Sequence, residues 1–161
     1  SGVDAPVREI ASRAGVGVGT VYRHFPQRSD LVVAGFQKEI DACAGAADRL
    51  GATYEPDEAL ARWLRRYTTL IATKRGLAAA LHSGDSAFDA LPGYFDQRME
   101  PALRSLLDAA ATAGRIRADV APGDLLRAVG NLCLPADAES SGHADRMVDL
   151  LLDGLRYRSG G

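Results

Sequence analysis

The sequence is poor in lysine, cysteine and aromatic residues, and each shortage excludes something. Lysine occurs only at Lys38 and Lys74, so arginine carries almost all of the positive charge. The two cysteines, Cys43 and Cys133, are too few for a disulfide scaffold or a four-cysteine zinc site. Neither has a C-x-x-C partner or an adjacent histidine, so both read as small packing residues. No spacing calls for a metal or a cofactor. Aromatics are 6% of the chain. No apolar run approaches the roughly 20 residues needed to cross a bilayer, and nothing at the start has the pattern of a secretory leader. The expectation is a reducing cytoplasm and no membrane partner.

What is present is alanine, leucine and arginine, which lose little side-chain entropy in a helix. The 161 residues are 47% hydrophobic and 25% charged, the balance of one globular domain or one domain with a small appendage. Net charge is −2, but residues 1–30 carry +1 and the remainder −3. That sign suits a small head facing phosphates and an acidic body facing away.

Every long periodic segment has the helical period, and no convincing alternating strand appears. Asp4-Ala5-Pro6 opens a helix that runs through Val7, Ile10, Ala11 and Ala14 and stops at Gly15. A second spans about residues 18–25, ended by Pro26. A third begins at Arg28 or Ser29 and reaches Leu50, with Gly51 closing it. Pro56 starts a fourth that carries Leu60, Trp63, Leu64, Tyr67, Leu70 and Ile71 and breaks at Lys74-Arg75-Gly76. Leu77 to Leu81 make one or two further turns, and residues 82–93 read as loop. The stripe from Phe95 to Ala110 ends at Gly114, with Pro101 predicting a kink or a boundary. A helix opening at Gly123-Asp124, a polar linker over 135–142 and a last helix through Leu155 complete an all-α chain.

Residues 7–25, VREIASRAGVGVGTVYRHF, have the grammar of a helix-turn-helix. Ala11 is small where the two helices cross. Gly15 stands where a left-handed backbone is cheap only for glycine. Ile10, Val16 and Val21 form the apolar wedge. The second helix then offers Thr20, Tyr22, Arg23 and His24 as hydrogen-bond donors to phosphates or base edges, and Arg28 adds a charge-assisted phosphate contact. The run Gly15-Val-Gly17-Val-Gly19 is no phosphate-cradling loop, because that motif follows a strand and opens a long helix.

The string IASRAGVGVGTVYRHFPQRSDL resembles the signature of TetR/AcrR-type bacterial transcriptional repressors. The resemblance is specific over residues 6–36 and extends to the rest only as helix layout. It implies a DNA-binding head, a body that dimerises and binds a small-molecule effector, and two recognition helices in successive major grooves, roughly 34–36 Å apart. It places Thr20, Tyr22, Arg23 and His24 on double-stranded DNA, and Arg28 in the slot usually held by a phosphate-contacting lysine. Gly17 stands where the family usually has a serine cap. The chain opens at Ser1-Gly2 without methionine, and the family's first helix has no counterpart ahead of Asp4. The expectation is that a preceding segment belongs to the whole protein.

The expected division is a partial head over 1–28, a connecting helix over 29–50 that acts as a lever, and an effector-binding and dimerisation body over 51–161. Trp63, Tyr67, Phe95, Met99 and Leu103 are candidate pocket walls, with His82 and Asn131 as candidate polar contacts. Leu125, Val129, Leu132, Met147, Leu151, Gly154 and Leu155 are candidate dimer-interface positions, because the last two helices carry more apolar surface than a monomer needs. Two other readings remain: a helical ligand- or protein-binding dimer without DNA binding, and a small hydrolase using His82 with Asp85. The second lacks a nucleophile, base and orienting group at recognisable spacing.

Overall fold

The computed structural model describes residues 7–25, 27–133 and 142–157. Helix α1 spans Val7–Ala14 and α2 spans Val18–His24. A Glu9–Arg13 ion pair at 2.6 Å supports α1 at i, i+4 spacing. Gly15, at φ 69°, ends it as expected. The Val16 N–H donates to Ala11 O at 3.0 Å and the Gly15 N–H to Ser12 O at 3.2 Å, the paired bonds of a Schellman turn. Ala11 and Val21 are 2% and 6% exposed and meet at the crossing; of the rest of the expected wedge, Ile10 is half-buried and Val16, on the turn after Gly15, is 44% exposed and takes no part.

Helix α3 spans Arg28–Thr53, with the Gln27 N–H donating to Asp30 Oδ2 at 3.2 Å at its start. Gly51 does not close it. The helix continues to Thr53, whose hydroxyl donates to Arg49 O at 2.8 Å, and the Tyr54 N–H bonds Leu50 O. A glycine ends a helix only when its backbone turns left-handed, and Gly51 keeps a negative φ. The buried face of α3 is mostly small: Cys43, Ala44, Ala46 and Ala47 lie beyond Phe36 and Ile40. Small side chains let the neighbouring helices approach closely.

Helix α4 spans Pro56–Gly76, with Pro56 in its first turn and Asp57 and Glu58 beside the positive end of the dipole. Helix α5 is the short turn Ala78–Leu81, followed by a 3-10 turn over Ser86–Phe88. Helix α6 then runs Leu91–Thr112 as one element with Pro101 inside it, so the proline marks no boundary. The expected loop over 82–93 is therefore shorter. Asp85 caps the 3-10 turn by accepting from the Ala87 N–H at 2.9 Å, and Pro92 sits in the first turn of α6, where its missing N–H costs nothing. Gly114, at φ 73°, closes α6 with a second Schellman pair.

Helix α7 spans Pro122–Leu132 and α8 spans His143–Arg156. The expected opening at Asp4-Ala5-Pro6, the stop at Pro26 and most of the 135–142 linker lie outside the described residues. Among the described residues there is no strand and no buried charged side chain, and no helix is long and apolar enough to cross a membrane.

One core joins α3, α4, α6, α7 and α8. Trp63, Leu64, Met99, Leu103, Val129 and Val148 are fully enclosed in it, each such aliphatic burial contributing roughly 1.5–3 kcal/mol. Trp63 donates its indole N–H to Cys43 O at 2.9 Å, and the Tyr67 hydroxyl donates to Leu126 O at 3.1 Å. These bonds satisfy the polar ends of two large buried rings. Both cysteines are free and buried. The α6–α7 connection is tied to the end of α8 by the Arg117 N–H on Leu155 O at 2.9 Å.

Candidate nucleic-acid interface

Helix α2 has one buried face and one open face. Val21 turns inward, while Tyr22 is 53% exposed and Arg23 and His24 are also exposed; Thr20 is half-buried. The Arg23 guanidinium folds back along its helix, Nε donating to Gly19 O at 3.4 Å. Arg28 is exposed at the start of α3. None of the five predicted contact residues is sealed in the core, and Tyr22 and Arg28 share one surface.

A feature the sequence reading passed over adjoins them. Val7, Arg8, Glu9, Ser12, Val18, Tyr22 and Arg28 line an open groove of about 780 Å³ between α1 and α2. Arg8 is the additional cation, recognisable in the sequence only once α1 and α2 are set side by side.

The start of α2 lacks the side-chain cap that a serine would provide. Gly17 occupies the cap position at φ −74° and ψ 152°, with no side-chain bond to the helix. Its carbonyl still accepts from the Thr20 and Val21 N–H groups at 3.0 and 3.2 Å.

In the body, the predicted pocket set divides. Trp63 stacks on Tyr67 with ring centroids 5.7 Å apart, and Tyr67 meets Phe95 at 6.1 Å. Burial pushes the Tyr67 phenol well above the usual tyrosine range, so it is a neutral donor. Met99 and Leu103 are buried in the same core. His82 and Asn131 do not join them. His82 is exposed with Nδ1 2.7 Å from Ala78 O, closing the end of α5, and Asn131 is exposed rather than on the apolar side of α7. Asp85 accepts from the Ala87 N–H at 2.9 Å, and chiefly that bond holds its carboxyl below the usual range. Asp85 is thus the cap of the 3-10 turn, and not a partner for His82.

The predicted interface set divides similarly. Leu125, Val129 and Leu155 are buried within the protomer, whereas Leu132, Met147 and Leu151 are half-buried and Gly154 is exposed. Leu132, Met147, Leu151, Gly154 and Leu155 line a groove of about 360 Å³ with Arg117 and Leu150. Leu150 is 64% exposed and belongs in the set. Its position beside Met147, Leu151 and Gly154 at i−3, i+1 and i+4 was the available signal.

A helix-turn-helix whose second helix presents a polar face, on a larger helical body, defines a one-component DNA-binding regulator. Residues 2–34 match the bacterial regulatory proteins of the tetR family, and residues 55–157 match the domain described as transcriptional regulator SbtR-like, C-terminal. No curated protein sequence matches. Among solved structures, a TetR transcriptional regulator from Streptomyces coelicolor is 36% identical, with 99% of this chain and 91% of that one covered and a TM-score of 0.82. A TetR regulatory protein from Mycobacterium vanbaalenii is 35% identical, with 96% and 84% covered and a TM-score of 0.73. A transcriptional regulator from Cytophaga hutchinsonii, at 14% identity and a TM-score of 0.70 over 97% and 91% of the chains, shares the fold. The chain belongs to the TetR family: it is a DNA-binding transcriptional regulator and not an enzyme.

Proposed function

We propose that the protein is a homodimeric, cytoplasmic repressor that a small-molecule effector releases from its operator. Thr20, Tyr22, Arg23 and His24 contact the duplex and Arg28 contacts a phosphate. The effector site opens at half-buried Phe95, with Tyr67 behind it and Trp63, Met99 and Leu103 as the closed core backing those rings, and the groove on α7 and α8 around Leu150 is where the second copy docks. The division into a head through residue 28, a connecting helix and a body beyond it follows the same reading.

The observation that carries it is the path of α3. It begins just past the recognition helix, and its middle is held to α6 by Asp41, which accepts from Arg98 Nε at 2.9 Å. A ligand that favours one placement of α4 and α6 therefore biases the placement of the head. It weakens DNA binding only by its differential affinity for the two conformers.

The test is selection of duplexes from a random library by the full-length protein, followed by salt titration of the best binder. Arg23→Ala is expected to weaken binding and to lower the salt slope by about 1. Light scattering is expected to give a dimer. Failure to enrich any duplex, or an Arg23→Ala protein with unchanged affinity, would overturn the assignment of contact residues.

A further inference from the structure

The junction of α4 and α5 carries a buried donor that nothing accepts from. Arg75, in the last turn of α4, is half-buried, and its Nε is buried with no hydrogen-bond partner. Arg62, Arg65, Arg98, Arg115, Arg117 and Arg156 each pair with a carboxylate. Among the described residues, no such partner faces Arg75 or its neighbour Lys74. The negative end of the α4 dipole favours cations in this turn, which explains the charge but not the unfilled donor. Native interiors rarely leave a buried N–H unpaired, and an exception of this kind marks a place for an unseen acceptor.

The surroundings say what kind of acceptor fits. Lys74 Nζ lies 5.6 Å from the Phe95 ring centroid, and Phe95 in turn meets Tyr67. Leu77 and Leu81 are partly buried against the core on the far side of the break. Burial pushes the thiol of Cys133, at the end of α7, upward; the Arg75 charge opposes that push and the Asp145 carboxylate adds to it, though Asp145 makes no ion pair with Arg75. The donor thus lies near the Cys133 thiol, with Lys74 as a second cation one residue before it, against the Phe95 ring. A carboxylate matches the guanidinium fork, and a hydrocarbon body suits the aromatic wall.

We infer that the effector is an organic carboxylate whose anionic end is held by Arg75, with its apolar body toward Phe95 and Tyr67. This rests on the effector-controlled reading above and adds the chemical class of the ligand.

The test uses the full-length protein and a panel of alkyl and aryl carboxylates, each paired with its primary amide, read by calorimetry and thermal shift. At least one carboxylate is expected to bind roughly tenfold or more tightly than its amide, the ratio expected for a charge-assisted bond over a neutral one. Arg75→Gln is expected to abolish that preference, and Arg75→Lys, which keeps the charge but loses the fork, to retain part of it. Circular dichroism checks both folds, and Arg75→Lys carries the comparison if Arg75→Gln does not fold. The inference is overturned if no carboxylate in the panel binds, if amides bind equally, or if the folded Arg75 variants keep the full preference.

The selected duplex separates the two readings. Carboxylate binding through Arg75 with no change in DNA affinity supports the anion site and removes effector-controlled release. A neutral ligand that releases DNA equally from wild type and Arg75→Gln supports release and overturns the carboxylate assignment.

Discussion

Tyr94 on α6 donates its hydroxyl to Asp41 Oδ1 on α3 at 2.5 Å, and Arg98 approaches the same oxygen. The bond to a carboxylate holds the phenol above its ordinary value of 10.0, because the ionised tyrosine could no longer donate. Tyr94→Phe is expected to lower the thermal midpoint by no more than roughly 2–4 °C, the bond being solvent-accessible. The sign with pH follows from the raised value. The stabilisation is intact below pH 10 and is lost as pH climbs through the folded-state value, so the wild-type advantage over Tyr94→Phe shrinks in alkaline melts.

Cys43 lies under Trp63, and burial pushes its thiol from 9.0 up to about 11, with the Arg66 charge opposing. At pH 8 its thiolate fraction is roughly a hundredfold below that of the unfolded chain, so alkylation slows by at least that factor. Peptide mass spectrometry of native and unfolded protein after iodoacetamide checks this. The raised value also lowers stability as pH rises from about 9 toward 11, because only the unfolded chain then releases the proton freely.

Gly17→Ser is expected to stiffen the head. The backbone at φ −74° accepts any residue, and a new Cβ meets nothing nearer than Thr20 Oγ1 at 4.0 Å. A hydroxyl cap and a less flexible unfolded chain together stabilise by about 0.5–1 kcal/mol. Slower amide exchange at Val21 and Tyr22 is the readout.

Leu150→Asp is expected to give a monomer by light scattering with unchanged helix content, because Leu150 packs against nothing in its own protomer core. Leu152→Ala is the contrast. That side chain is buried, and its loss costs about 2–5 kcal/mol whatever the oligomeric state.

Gly15 and Gly114 were readable as helix ends because each follows an apolar stripe that stops, and both adopt positive φ. Gly51 resembles them in sequence but lies inside α3, since nothing local compels a left-handed turn there. The crossing of Ala11 and Val21 was legible because side-chain size alone decides it. The exposure of His82 and Asn131 was not, because it depends on how far each helix is rotated about its axis. Leu125, Val129 and Leu155 show the same limit. An apolar stripe says that something covers it, not whether the cover is the same chain or another copy. Arg75 was visible only as a helix break, since an unfilled donor exists only in three dimensions.

Helix α3 has 26 residues, which at 1.5 Å per residue makes a rod about 39 Å long. A tilt of about 5° around its Thr53 end carries the Arg28 end through roughly 3.4 Å, the rise of one base-pair step. On the proposed effector-controlled reading, a small movement in the body would thus be magnified into a full step of misalignment at the duplex.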